Sequence, residues 1–94
     1  MRATDLLTTL NIDFSYIEIT QISLDIEGAI FGIARIDLTD EKLIFTPAKI
    51  QNNKSVKEIT TTLMLHKQKI LYKQRGTELE KIYGYRIKDM SVIL

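Results

Sequence analysis

Cysteine and tryptophan are absent from this chain, and histidine and proline occur once each. Each absence removes a class of chemistry. Without cysteine there is no disulfide framework, no thiolate nucleophile and no cysteine zinc site. A single histidine, His66, excludes a two-histidine metal motif within one chain, and no GxSxG pattern places a serine to work with it. The phosphate-cradling patterns GxxxxGK[ST] and GxGxxG are also missing. No run approaches the roughly 18 consecutive apolar residues of a membrane span. The opening residues MRATDLLTTL lack the basic flank and continuous apolar core of a secretory signal. These absences set the expectation of a cofactor-free, metal-free cytoplasmic protein that is not an enzyme and does not cross a membrane.

What is present is a chain of 94 residues, 45% hydrophobic, which supports one domain over residues 1–94 with a core of its own. Residues 22–46 carry the clearest pattern. Ile22, Leu24 and Ile26 alternate with Ser23, Asp25 and Glu27, the period of two of a half-buried strand. Glu27-Gly28 then supplies a hairpin reversal, because glycine accepts the positive φ that such turns need. From Ala29 to Leu38 both phases are largely apolar, which predicts a central strand covered on both faces. A polar turn at Thr39-Asp40-Glu41 leads into a third strand from Lys42, and Pro47, with no N–H to donate, is expected to end it.

Before this meander, Thr4 is placed to cap a short helix over Asp5–Leu10, with Leu6, Leu7 and Leu10 on one side and Asn11 as its stop. Phe14 to Thr20 reads as a strand. Its apolar residues Ile17 and Ile19 are out of phase with Ile22, so a bulge or corner is expected near Thr20-Gln21.

Residues 55–76 carry two opposed signals. Ser55 and Glu58 form a capping box, and Val56, Ile59, Leu63, His66 and Ile70 fall on one stripe at 3.6-residue spacing, so the pattern predicts a second helix over about 55–75. Against it, Thr60-Thr61-Thr62 and the alternation Ile59, Thr61, Leu63, Leu65 favour extended chain. The strand reading places Lys67, Lys69, Lys73 and Arg75 on one face as a cationic row. From Glu78 onward, Ile82, Tyr83, Tyr85, Ile87 and the closing Val92-Ile93-Leu94 read as one or two strands, with Gly84 at a bulge or close approach. The fold expected is therefore α+β: an antiparallel sheet of four to six strands with two helices, or, alternatively, a small β-barrel.

Charge is unevenly divided. Residues 1–47 hold 3 Lys/Arg against 8 Asp/Glu, residues 48–94 hold 10 against 4, and the whole chain nets only +1. Halves of opposite sign either neutralise each other, within the fold or between copies, or leave a basic surface to meet an acidic partner. Carboxylates offer two groupings, Asp37-Asp40-Glu41 about a turn and Asp25 with Glu27 on a strand. Both are explained by turn chemistry and by a solvated face. The leading expectation is a protein–protein interaction module that self-associates through sheet edges and charge-complementary surfaces, with Val92, Ile93 and Leu94 as the candidate partner-binding residues. The alternative is nucleic-acid binding by Lys67, Lys69, Tyr72, Lys73 and Arg75, since cations hold phosphates and aromatic rings stack on bases.

A short helix, then a meander containing Gly28, Gly32 and Asp37, then Arg75-Gly76 before a last strand, resembles the element order of the Sm-like RNA-binding barrels. The spacing between the glycines, the step from Gly32 to Asp37 and the long segment 47–74 depart from that pattern. The resemblance implies a small barrel and an RNA partner.

Overall fold

A computed structural model describes residues 1–12, 19–48 and 53–94. The strand expected over Phe14–Thr20, whose change of phase called for a bulge, lies almost entirely outside them. Among the described residues nine elements follow in order: α1 (Ala3–Ile12), β1 (Gln21–Ile26), β2 (Ala29–Leu38), β3 (Lys42–Ala48), α2 (Val56–Leu65), β4 (Ile70–Arg75), β5 (Glu78–Lys81), β6 (Arg86–Lys88) and β7 (Ser91–Ile93). The strands form one seven-stranded, mostly antiparallel sheet in the order β5-β4-β3-β2-β1-β7-β6, curled into a half-barrel. The α+β expectation holds, and the small-barrel alternative is met by the curl.

The meander lies where its alternation put it. Ile26 pairs with Ala29 across Glu27-Gly28, whose φ values of 52° and 88° are both positive, as a two-residue hairpin turn with the right twist requires. β2 stands fourth of seven, but it is not covered on both faces. Ile33 is its one fully buried residue, and Ile30 is exposed on the opposite face. Pro47 does not end β3, which runs on to Ala48. Proline is tolerated there because it faces Ile33 beside a bulge between Ile33 and Arg35, and β4 has already left its other side after the Phe45–Lys73 pair.

Both helices pack on one face of the sheet. Ala3, Leu6 and Leu7 of α1 and Ile59 and Leu63 of α2 join Ile22, Leu24, Ile33, Leu43, Phe45, Leu71, Ile82, Val92 and Leu94 in a single apolar core. α1 starts earlier than expected. Its cap is not Thr4: the Asp5 carboxylate accepts the Arg2 N–H at 2.8 Å, and the N–H groups of Ala3 and Thr4 donate to the carbonyls of Lys69 and Lys67. Nor does Asn11 stop it, since the helix includes Ile12.

The 55–75 segment divides between its two readings. Ser55 Oγ accepts the Glu58 N–H at 3.1 Å and caps α2 as the sequence predicts. The three threonines fit the helix because each hydroxyl donates to the carbonyl four residues back, at Val56, Lys57 and Glu58. The helix ends at Leu65, ten residues short of the expected limit, and β4 follows as a parallel neighbour of β3 with Leu71 beside Leu43. Continuing the helix would have left β3 unpaired on that side, so the sheet overrides the stripe. The tail gives three strands rather than one or two, and a Cβ at Gly84 would meet nothing within 4 Å, so no close approach requires glycine there.

Candidate functional site

The two outer strands, β5 and β6, are joined by residues 82–85. Five peptide steps from Lys81 to Arg86 span at most about 18 Å. The chain therefore passes from one edge of the sheet to the other within a short link, and the unclosed side of the half-barrel is a cleft of about 420 Å³. Lys73, Glu80, Tyr85, Arg86 and Asp25 are among its lining.

Cations bridge this cleft. Lys73 shares the core face of β4 with Leu71, and its half-buried ammonium donates to the carbonyl oxygens of Asp25 at 2.7 Å and Leu94 at 3.3 Å. Arg75 lies two residues on and meets three carboxylates: Glu78 at 3.1 Å, Glu27 at 3.2 Å and Glu80 at 3.9 Å. The hydrogen bond that Arg75 donates to Glu78, then the charges of Glu27 and Glu80, raise the Arg75 pKa above the ordinary arginine value. Arg86 pairs with Asp25 at 2.8 Å, and the same carboxylate accepts the Gly28 N–H. Asp25 and Glu27 are thus engaged by cations.

The residues of the expected cationic row do not line up. Lys67 and Lys69 precede β4, in the turn after α2, and the Lys69 ammonium donates to the carbonyls of Thr39 and Asp40. Lys73 and Arg75 do share a face, but Tyr72 points the other way. Its ring lies under the Lys42 ammonium, 4.9 Å from the centroid. Val92, Ile93 and Leu94 are buried in the fold, where Val92 pairs with Ile22 and Ile93 with Ser23 of β1. The apolar end of the sequence is therefore used internally.

Asp37 holds Arg35 at 2.9 Å, and among the described residues no three His, Asp or Glu side chains gather as metal ligands would. His66 caps the C-terminus of α2, its carbonyl accepting the Lys69 N–H at 3.1 Å. No helix of the described residues is long and apolar enough to cross a membrane.

Two groupings of surface residues were not assembled by sequence reasoning, although Tyr72 was already a candidate on its own. The first is on the sheet edges. Arg75 and Glu78 flank the two-residue turn Gly76-Thr77, so they form a hydrogen-bonded pair, and alternation turns the N–H and C=O of Leu79 and Lys81 away from β4. By the same rule the groups of Ile87 turn away from β7, because Lys88 and Ser91 flank the Asp89-Met90 turn. Leu79 and Ile87 are 40% and 47% exposed. Gly76, at φ 61°, was a readable turn signal for β5, whereas Asp89-Met90, with no glycine, is a weak one for β6. The second group lies on the outer face, where Lys42 and Lys81 stand 4.9 Å and 5.7 Å from the rings of Tyr72 and Tyr83. Sequence separation hides the Lys42–Tyr72 pair.

No family model, curated protein or solved structure matches the chain.

Proposed function

We propose that this chain is a non-enzymatic protein–protein interaction module that self-associates by pairing the β5 edge of one copy with the β6 edge of the next. The observation that supports this reading is the pair of open edges, each carrying outward-turned backbone groups and an exposed apolar side chain, Leu79 or Ile87. The edges also differ in charge. β5 reads Glu78-Leu79-Glu80-Lys81 and β6 reads Arg86-Ile87-Lys88, so an acidic edge meets a basic one more favourably than either meets itself. Pairing unlike surfaces is heterologous, which builds rings or chains rather than a two-fold dimer. Both strands are short and charged, a device that discourages indiscriminate pairing while leaving a matched one available.

Light scattering on a sizing column, at low and high salt, tests this reading. The expected result is a multimer that Ile87→Pro converts to monomer, because proline there removes an N–H that points out of the fold and leaves the β6–β7 ladder intact. A monomeric wild-type chain, or a multimer that Ile87→Pro and Leu79→Lys leave unchanged, overturns it.

A further inference from the structure

The helices cover one face of the sheet and leave the outer face of β2–β5 to solvent. Cross-strand pairing sets Asp37, Ile44, Tyr72 and Lys81 in one row on that face, over four adjacent strands. At 4.8 Å between strands the row is about 14 Å long. Lys42 is two residues from Ile44 on β3 and leans over Tyr72, while Tyr83, 82% exposed, follows β5 with its ring 5.7 Å from the Lys81 ammonium. Two aromatic rings, each with its own ammonium within 6 Å, thus share one open surface.

The carboxylates that would oppose an anion here are engaged. Asp37 is bound by Arg35 at 2.9 Å, and Glu78 and Glu80 reach Arg75 on the other side of β5. The face therefore presents positive charge and ring surface together. Cations alone suit any polyanion, but exposed rings beside them suit one whose charged backbone carries flat, unpaired bases.

We infer that this outer face binds single-stranded nucleic acid, with Tyr72 and Tyr83 stacking on bases and Lys42 and Lys81 holding the flanking phosphates. The whole-chain pI of about 7.9 is low for a protein that holds a duplex by phosphate contacts, so stacking carries a large share of the affinity. The surface meets the β5 edge at Lys81, using its side chain where the edge offers its backbone, and binding here does not depend on self-association.

The test is fluorescence anisotropy with labelled oligouridine and oligothymidine of about a dozen nucleotides, a length within the range of single-strand sites. At low salt both probes bind. Tyr72→Ala and Tyr83→Ala each weaken binding about tenfold, while the Tyr→Phe versions keep it, since phenylalanine retains the stacking face. Lys42→Ala and Lys81→Ala each reduce the log–log salt slope by about 0.7. Ile87→Pro leaves the affinity unchanged. The exposure of Tyr83 makes its substitution safe for the fold, and circular dichroism checks Tyr72→Ala. No anisotropy change at low salt, binding indifferent to both Tyr→Ala variants, or affinity lost with Ile87→Pro overturns the assignment. So does a Tyr72→Ala variant that dissolves a multimer while no oligonucleotide binds the parent chain, because that result assigns the face to a second copy.

Discussion

The Lys73 ammonium donates to the Asp25 carbonyl at 2.7 Å although β4 and β1 stand three places apart in the sheet. Asp25 is also where the β1 ladder meets the end of the chain, its N–H donating to the Leu94 carbonyl at 2.9 Å. Lys73 takes both carbonyls, so one side chain from the core face of β4 ties off the β1–β7 side of the half-barrel. Arg75 repeats the bridge outside, from β4 to Glu27 in the β1–β2 turn. The curl is held across the mouth by cations, in addition to the apolar core beneath.

Replacing Lys73 by Met keeps the stem and removes the donor, leaving two half-buried carbonyls without their ammonium. A hydrogen bond from a charged donor contributes about 1.5 to 3 kcal/mol, and at this half-exposed position a loss of about 1 to 2 kcal/mol is expected. Urea unfolding measures it as a lowered midpoint with unchanged slope. A midpoint that did not move would show that the curl is independent of Lys73.

Arg75 gives a prediction about pH and salt. Its pKa is raised in the fold, so its contribution to stability is fully present below the unfolded arginine value and is lost only as pH rises through the folded one. That window lies above neutral pH, and the arginine stays charged throughout ordinary conditions. Arg75→Met should therefore lower the urea midpoint equally at pH 7 and pH 9. The loss should shrink at high salt, because the ion pairs are solvent-exposed and screened. A loss that vanished between those two pH values would contradict the raised pKa.

Gly32 and Asn53 are coupled through space. A Cβ at Gly32 would lie 2.0 Å from the Asn53 side-chain oxygen, an impossible contact unless that side chain swings away. Asn53 is exposed and can move, so Gly32→Ala is expected to cost about 1 kcal/mol. In an Asn53→Gly background the penalty should disappear, since alanine then loses less backbone entropy on folding than glycine. Additive effects in this double-mutant cycle would mean that the two residues do not touch.

The meander was legible because its signals are local. Ile22, Leu24 and Ile26 carry the alternation, and Glu27-Gly28 carries the turn. The end of α2 was not, because the apolar stripe runs on through His66 and Ile70 while the stopping signal is the place beside Leu43 that Leu71 fills. The threonines misled in the other direction, their hydroxyls finding carbonyls within the helix. The cationic row failed for a similar reason: a strand beginning at Ile70 leaves Lys67 and Lys69 in a turn. Surface groupings such as Lys42 with Tyr72, or Lys73 with Asp25, depend on which strands become neighbours, and no single segment encodes that.

The β6–β7 turn left little signal because only Asp89 of its two central residues is one that such a turn favours. Asp89 and Met90 occupy its two central positions with φ of 49° and 64°, and the turn is held in place by the Thr20 N–H, which donates to the Met90 carbonyl at 3.0 Å. A left-handed conformation costs an L-residue about 1 to 2 kcal/mol, less for aspartate, whose short side chain hydrogen-bonds locally, than for methionine. Glycine escapes that cost but loses more chain entropy on folding. Met90→Gly should therefore raise stability by about 0.5 to 1 kcal/mol, and Met90→Val, β-branched and least at ease with positive φ, should lower it. The comparison turn already has glycine at its second position, so Gly28→Ala should destabilise at φ 88° where Met90→Gly stabilises. Urea midpoints of the three variants decide it: if Met90→Gly falls with Gly28→Ala, the side chain of Met90 contributes more than its backbone costs, and the account of this turn is wrong.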